Sequence, residues 1–301
     1  LLSATVTVHS ATKDMTNGKW TIRFNDETRK SEFVKDGTTI LQDVSVKFKH
    51  NASIIESSSY SDIKFSEENY SDATGECKRF IIEYKNTENS TYPTIQQCFY
   101  LYPDKDYFLT DVFLLSSGTS KIESNYIAPI YTETQNRFLP QDANNRFLFV
   151  PFDNDGFITY GSLPLSRGID PTSLGVGRYA RDTISFEVTS IFNGETQEGL
   201  VIGSVEHDTW KSAIRMTGSP LSQSYINKLE CYSGATHSIT RDATDNNWLQ
   251  PHGAVKGTKI KSARMLVGLF DDWRTGMETF GDVNALIAPK RAVSYTHLTL
   301  P

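Results

Sequence analysis

The sequence predicts an all-β protein, built as an antiparallel sandwich or barrel. Aromatic residues make up 12% of the chain, with 17 Phe and 14 Tyr, and aromatic and β-branched residues favour strands. Short stretches alternate between apolar and polar residues, which is the period of a strand with one solvent-exposed face. Polar turn sequences separate these stretches, and helical periodicity is absent before residue 271.

The predicted strands follow one another closely along the chain. Trp20, Ile22 and Phe24 share one face of the first clear strand, and the same alternation recurs at 44–48. The polar loop at 85–94 separates two strands that we expect to pair with each other. The remaining predicted strands are 79–84, 95–101, 108–116, 122–130, 147–150, 157–160, 184–192, 200–204, 213–217, 228–232 and 259–270.

The apolar pattern changes after residue 270. Apolar residues then recur at gaps of four, three, three and four, which traces one face of a helix. Asp271 and Asp272 stand at its start, where the helix dipole favours negative charge, and Pro289 ends it. The residues of this apolar stripe are Trp273, Met277, Phe280, Val283 and Ile287. We therefore predict a β-sandwich domain over residues 1–270 and a helical segment over residues 271–292.

The helical segment has two interpretations. It is either a helix packed on the sandwich or a connector to a further domain, and the end of the chain favours the connector. Residues 293–301 (VSYTHLTLP) resemble the conceptual translation of a sequencing adapter, so we expect an artefactual tail there and a gene that continues. A connector would expose part of its apolar stripe. The chain also starts at Leu1 without Met, so we expect the natural N-terminus to be missing.

Composition and motifs exclude several classes of function. The net charge of -6 and the pI of about 5.6 argue against a nucleic-acid surface, which needs clustered positive charge. No apolar stretch approaches the ~18–20 residues of a membrane helix. Nucleophile-elbow, phosphate-loop, dinucleotide-binding and zinc-protease motifs are absent. We therefore predict no cofactor, no metal and no catalytic residue in this chain.

The three cysteines have no spacing typical of a metal site or a disulfide-rich scaffold. Cys77 and Cys98 could pair only if they lie opposite each other on adjacent strands. We expect them, with Cys231, to be small buried residues instead.

Two polar segments are candidates for ligand binding. In the first, Asp153, Asn154 and Asp155 lie between two apolar stretches, and Gly156 closes the turn. Carboxylates and amides can bind sugar hydroxyls through paired acceptors and donors. The same oxygens could hold Ca²⁺, and the sequence also suits an ordinary hairpin loop.

The second segment follows the strand that begins at Gly199. It contains His207, Asp208 and Trp210, flanked by Glu206 and Lys211. A Trp ring beside carboxylates at the end of a strand suits sugar recognition, and the alternative is a Trp that covers the end of the sandwich. Glu206 and Asp208 are poor candidates for a glycosidase acid/base pair, because such carboxylates must flank the bond from opposite sides of a cleft.

Several stretches resemble the N-terminal domain of the α-galactosidase-like enzymes of glycoside hydrolase family 36. They are QQCFYLYPDKDYFLTDVFL with SNYIAPI, FLFVPFDNDGFITYGS, EGLVIGSVEHDTWKSAI, and KSARMLVGLFDDWRTGMETFGDVNALIAPKRA. They occur in the expected order between residues 96 and 292, and the earlier part of the chain matches only as a strand-rich pattern.

This resemblance implies a large two-sheet antiparallel β-supersandwich, galactose-mutarotase-like, with one C-terminal amphipathic helix. In such enzymes a (β/α)₈ barrel follows and carries two catalytic aspartates, and nothing in this chain matches that barrel. The resemblance thus implies a non-catalytic domain of a truncated α-galactosidase-like enzyme, located in the periplasm or outside the cell. Loops that lean over the barrel mouth would help to bind an α-galactoside-type oligosaccharide, through Asp153, Asn154, Asp155, His207, Asp208 and Trp210.

Two other functions remain open. One is a stand-alone carbohydrate-binding or adhesin-like sandwich. The other is a mutarotase-like sugar epimerase, which needs a histidine and a carboxylate that converge on one pocket. His207 and His252 are the candidates for that histidine, and the sequence indicates no partner for either.

Overall fold

The computed structural model describes residues 11–139, 144–150, 160–165, 183–219, 222–235 and 253–289. Strands β1 to β11 are Thr12–Asn17, Trp20–Asn25, Lys30–Lys35, Thr38–His50, Ser53–Glu56, Asp62–Asp72, Gly75–Lys85, Thr94–Leu101, Tyr107–Leu115, Ile122–Ser124 and Ile127–Thr132. Strands β12 to β21 are Asn145–Phe149, Gly161–Pro164, Thr183–Phe186, Val188–Asn193, Gly199–Ser204, Ser212–Ser219, Ser222–Ser233, Val255–Gly257, Lys259–Lys261 and Met265–Phe270. A 3₁₀ turn covers Ser57–Ser59, and helix α1 is Trp273–Ile287.

Two large sheets form the body of the protein. The first sheet has the strand order β1-β2-β3-β4-β11-β18-β17-β14, with β5 added beside β4. The second sheet has the order β13-β12-β15-β16-β21-β9-β8-β7-β6, with β20 paired to β9. Strands β10 and β19 form a short separate ribbon. Every strand pairing among the described residues is antiparallel, and the predicted antiparallel two-sheet sandwich is confirmed.

The main core lies between the two sheets. The alternation seen at the start of the chain becomes β2, where Trp20, Ile22 and Phe24 are fully buried against the second sheet. Aromatic rings meet edge to face across this interface: Phe108 on β9 lies 5.0 Å from the Trp20 ring and 5.1 Å from the ring of Phe33. Such contacts add to the free energy gained by burying the rings.

Helix α1 forms a third layer on the outer face of the second sheet. Asp272 caps it by accepting a hydrogen bond from the backbone N–H of Arg274. Phe280 and Val283 are buried against the sheet, and Trp273 stacks on Phe192 with a ring-centroid distance of 4.2 Å. The sandwich therefore covers the apolar stripe only in part, because Trp273, Met277 and Ile287 stay partly exposed.

Three predicted strands are interrupted. Stretch 184–192 divides at Glu187, which has a positive φ of 65°, and the chain passes there from β14 in the first sheet to β15 in the second. Stretch 259–270 divides into β20 and β21, and residues 262–264 between them belong to neither strand. Stretch 122–130 likewise divides into β10 and β11. The predicted strand at 157–160 lies almost wholly outside the described residues.

The three cysteines are buried free thiols, as expected. In the strand register Cys77 lies opposite Tyr70 and Cys98 lies opposite Ile81, so the two are not placed to form a disulfide. Burial raises the pKa of the Cys77 thiol to about 11 and that of Cys98 to about 12. In the helical residues that the structure describes, no stretch has the length and apolar content needed to cross a membrane.

Glycines allow α1 to approach the second sheet closely. A Cβ atom added at Gly276 would lie 2.6 Å from the Phe270 ring and 2.8 Å from Val201. On the sheet, a Cβ at Gly199 would lie 2.8 Å from the Cβ of Trp273. Gly281, one turn and a half further along α1, has no heavy atom within 4 Å of its Cβ position. The two helix glycines therefore differ in packing alone.

We predict that Gly276→Ala destabilises the protein by about 1–3 kcal/mol, because the added methyl group overpacks the interface between helix and sheet. Gly281→Ala is the matched control, and it should stabilise the protein by about 0.5–1 kcal/mol through helix propensity alone. Urea unfolding of both variants measures the two effects. Equal effects of the two substitutions would contradict the close packing of α1.

Candidate functional site

A cleft of about 800 Å³ opens at one end of the sandwich, beside the C-terminal end of α1. The loop 206–210 forms one wall, and residues 261–263 form the second. The third wall is the end of the helix, residues 287–289. Three segments that are distant in sequence therefore meet at one place.

The loop between β16 and β17 carries the chain from the second sheet back to the first. Its start is fixed by the backbone N–H of Val205, which donates to the carbonyl of Arg264 at 2.9 Å. The hydroxyl of Ser204 donates to the carbonyl of Glu206 at 2.8 Å. The loop is therefore tied to the second sheet before it reaches the cleft.

Glu206 is held in a fixed orientation on the cleft wall. The ammonium group of Lys261 donates to both of its carboxylate oxygens, at 2.6 and 2.5 Å. The backbone N–H of Arg264 donates to the Glu206 Oε2 atom at 3.1 Å. The Glu206 side chain remains 23% exposed, so part of its carboxylate still faces the cleft.

Behind this wall lies a buried ionic network. Asp111 on β9 is fully buried, and its Oδ2 atom accepts a hydrogen bond from Arg264 Nε at 2.9 Å and lies 3.3 Å from Lys261 Nζ. The Arg264 guanidinium also lies over the ring of Tyr100, 4.2 Å from its centroid, and donates to its hydroxyl at 3.1 Å. Burial alone would lower the pKa of Arg264, but Asp111 and the other nearby acceptors outweigh burial and raise it.

His207 joins three elements at the rim of the cleft. Its Nδ1 atom lies 3.2 Å from the carboxylate Oε2 of Glu187, at the point where the chain crosses between sheets. Its Nε2 atom lies 3.1 Å from the Oδ1 atom of Asn284 on α1. The hydrogen bond to Glu187 raises the pKa of His207 above its ordinary value. The His207 side chain is 34% exposed.

The structure brings three of the predicted site residues to this cleft. Asp208 is exposed at its rim, beside His207. Trp210 is only 4% exposed, and its Nε1–H donates to the carbonyl of Lys261 at 2.7 Å. The Trp210 ring therefore packs in the core and offers no open face on which a sugar could stack. Asp153, Asn154 and Asp155 lie outside the described residues.

Sequence reasoning did not identify Glu187, Asn284, Asp111 and Arg264. Asp111 carries a detectable signal, because it is an acidic residue in the middle of the apolar strand YFLTDVFLL. A charged residue in such a strand is buried only where a partner neutralises it. Glu187 and Asn284 carry no such signal, since polar residues are ordinary in turns and on exposed helix faces.

The geometry limits what chemistry the cleft can perform. Both ring nitrogens of His207 are engaged, so this histidine is not placed as a proton donor or acceptor for a ligand. Glu206 is paired with Lys261, so it acts as a hydrogen-bond acceptor of fixed position. Across the residues that the structure describes, no cluster of histidine, cysteine and carboxylate side chains could hold a metal ion. Glu206 and the exposed Asp208 give the described part of the cleft carboxylate oxygens that can accept hydrogen bonds from a ligand.

No protein-family model matches the chain, and no curated protein matches it. Solved glycoside hydrolases do match it in structure. The α-N-acetylgalactosaminidase NagBb from Bifidobacterium bifidum, in complex with Gal-NHAc-DNJ, aligns with a TM-score of 0.55 and 11% identity, over 90% of this chain and 38% of that enzyme.

A glycoside hydrolase family 97 enzyme from Pseudoalteromonas sp. strain K8 aligns in its complex with panose with a TM-score of 0.53 and 10% identity. Its acarbose complex gives the same TM-score at 9% identity. Each alignment covers 87% of this chain and 36% of the enzyme. At such identities the likeness establishes a shared sandwich fold, and this chain spans less than two fifths of the length of these enzymes.

We predict that Asp111→Ala destabilises the protein by about 3–5 kcal/mol, because it leaves the buried charge of Arg264 without its closest partner. Asp104→Ala is the matched control. Asp104 is 74% exposed in its contact with Lys105, and its loss should change stability by less than about 1 kcal/mol. Urea unfolding at neutral pH measures both variants, and a near-neutral effect of Asp111→Ala would contradict the assigned network.

Proposed function

We propose that this chain is a non-catalytic β-sandwich domain of an α-galactosidase-like glycoside hydrolase, and that it supports and partly lines the sugar pocket of a catalytic (β/α)₈ barrel encoded beyond residue 292. The observation that carries the proposal is structural. The sandwich together with α1 aligns over 87–90% of this chain with glycoside hydrolases, yet it accounts for only 36–38% of their length. The family 36 resemblance of the sequence supports the α-galactoside-type substrate.

The cleft supports a role in sugar binding. Glu206 offers carboxylate oxygens whose position is already fixed by Lys261, so little side-chain entropy is lost when a hydroxyl binds. Asp208 adds a second, exposed carboxylate at the rim. In this proposal His207 orients the loop and Trp210 supports the wall from the core.

The proposal assigns no catalytic residue to the chain. Glycoside hydrolysis requires two carboxyl groups on opposite sides of the scissile bond. Glu206 and Asp208 belong to one short loop on one wall of the cleft. Because polysaccharide substrates are external, we also propose that the protein acts in the periplasm or outside the cell.

A stand-alone carbohydrate-binding sandwich is the second candidate, since the described walls of the cleft come from the sandwich and the end of α1. A sugar epimerase is less well supported, because both ring nitrogens of His207 are already bonded to Glu187 and Asn284. His252 lies outside the described residues.

The test compares two forms expressed from the source gene: this chain, and the chain with whatever the gene encodes after residue 292. We expect only the long form to hydrolyse an aryl α-galactoside. In the long form, Asp208→Ala should raise KM by about tenfold through the loss of one charge-assisted hydrogen bond, and leave kcat nearly unchanged. Asp26→Ala, an exposed carboxylate in the turn after β2, is the matched control.

The result that would overturn the proposal is a long form inert on every α-glycoside, or a gene that encodes no barrel. In that case, NMR would show whether the short chain binds methyl α-galactoside. Binding that Asp208→Ala weakens would support the stand-alone module.

A further inference from the structure

Besides its apolar packing on the second sheet, the C-terminal half of α1 has a polar contact with the loop 206–210 through His207. His207 sits between two oxygen atoms on different elements: Oε2 of Glu187 at 3.2 Å and Oδ1 of Asn284 at 3.1 Å. A carboxylate oxygen and an amide oxygen accept hydrogen bonds and do not donate them. With the Asn284 amide oxygen turned towards the ring, as it is here, both contacts are satisfied only when each ring nitrogen carries a proton.

We infer that His207 is a pH-dependent clasp. While both ring nitrogens carry a proton, His207 holds the last turns of α1 against loop 206–210. When only one ring nitrogen carries a proton, the last turns are released. Release would open the side of the cleft formed by residues 287–289. The clasp is a property of the described residues and does not depend on the proposed sugar ligand.

The charges around His207 set the direction of the pH effect. Glu187 favours the doubly protonated ring and is the main reason that the pKa of His207 is raised, whereas Lys211, 3.9 Å from Glu187, opposes it. Glu206 and Asp208 flank His207 in the loop, and Lys261 neutralises Glu206. From α1 the contacting group is the uncharged amide of Asn284.

The sign of the effect follows from the raised pKa. The clasp is fully formed below the ordinary histidine value of about 6.5, and it is lost as the pH rises through the higher value of the folded state. The doubly protonated ring is therefore the fastened state, and the neutral ring is the released state.

Release should affect the end of the helix and not its start. The start is anchored by the Asp272 cap and by the stacking of Trp273 on Phe192. The last turn contains no basic residue, and its cap residue Ala288 has no polar side chain. The last turn is therefore weakly held apart from its side-chain packing, and loss of one charge-assisted hydrogen bond suffices to loosen it.

The experiment is backbone amide hydrogen exchange of the full chain, followed by NMR between pH 5.5 and 8.5 and corrected for intrinsic rates. We expect protection of the amides of Asn284 to Ala288 to fall by about three- to tenfold as His207 loses its proton, with the first turn of α1 unchanged. The ¹⁵N shifts of the His207 ring should report a doubly protonated ring at the low-pH end.

Three variants separate the clasp from general pH effects. His207→Gln should hold the last turn at low protection throughout the range, and Glu187→Gln should shift the transition to lower pH. His50→Gln is the matched control, because His50 lies away from α1 on β4, and it should leave the pH profile unchanged. The inference is overturned if protection is independent of pH, if His207→Gln keeps the pH dependence, or if the ring is singly protonated at pH 5.5.

Discussion

The centre of the second sheet is buried on both of its faces, and the rest of the architecture depends on this. Its central strands β16 and β21 are buried at every position, so they read as continuous apolar runs rather than alternating ones. One face meets the first sheet across the main core. The other face needs a separate cover, and α1 supplies it where Gly199 and Gly276 allow helix and sheet to approach closely.

Away from α1, the same outer face of the second sheet buries an ion pair. Asp111 and Arg264 neutralise each other there, and Tyr100 lies against the guanidinium. A buried pair of this kind contributes less to stability than to fixing one arrangement of the strands that carry it. Lys261 extends the network to Glu206, so the polar wall of the cleft is continuous with the buried network behind it.

Local sequence patterns predicted the strands and the helix well. They predicted poorly where one strand ends and the next begins. The helix stripe predicted α1 to within a few residues, and Trp20 and its neighbours predicted β2. The break at Glu187 was missed because nothing in the sequence indicates that this glutamate adopts a positive φ. A glycine at the same position would have suggested the break. For Trp210 the sequence left two roles open, sugar stacking and covering the end of the sandwich, and the burial that decides between them is not a local property. It depends on the carbonyl of Lys261, 51 residues away along the chain, and only the folded sheets bring the two together.

The two crossings between sheets explain why the proposed clasp would move the helix end and not the loop 206–210. The backbone N–H of Ser204 donates to the carbonyl of Glu187 at 2.7 Å, and the N–H of Glu187 donates to the carbonyl of Ser212 at 3.0 Å. The crossing at Glu187 is thus bonded to both ends of the loop that carries His207. Backbone bonds of this kind persist across the pH range, whereas the bond from His207 to Asn284 on α1 joins two side chains, one of which titrates. Any change in the width of the cleft should therefore come from movement of the helix end, with the loop that carries Glu206 staying in place.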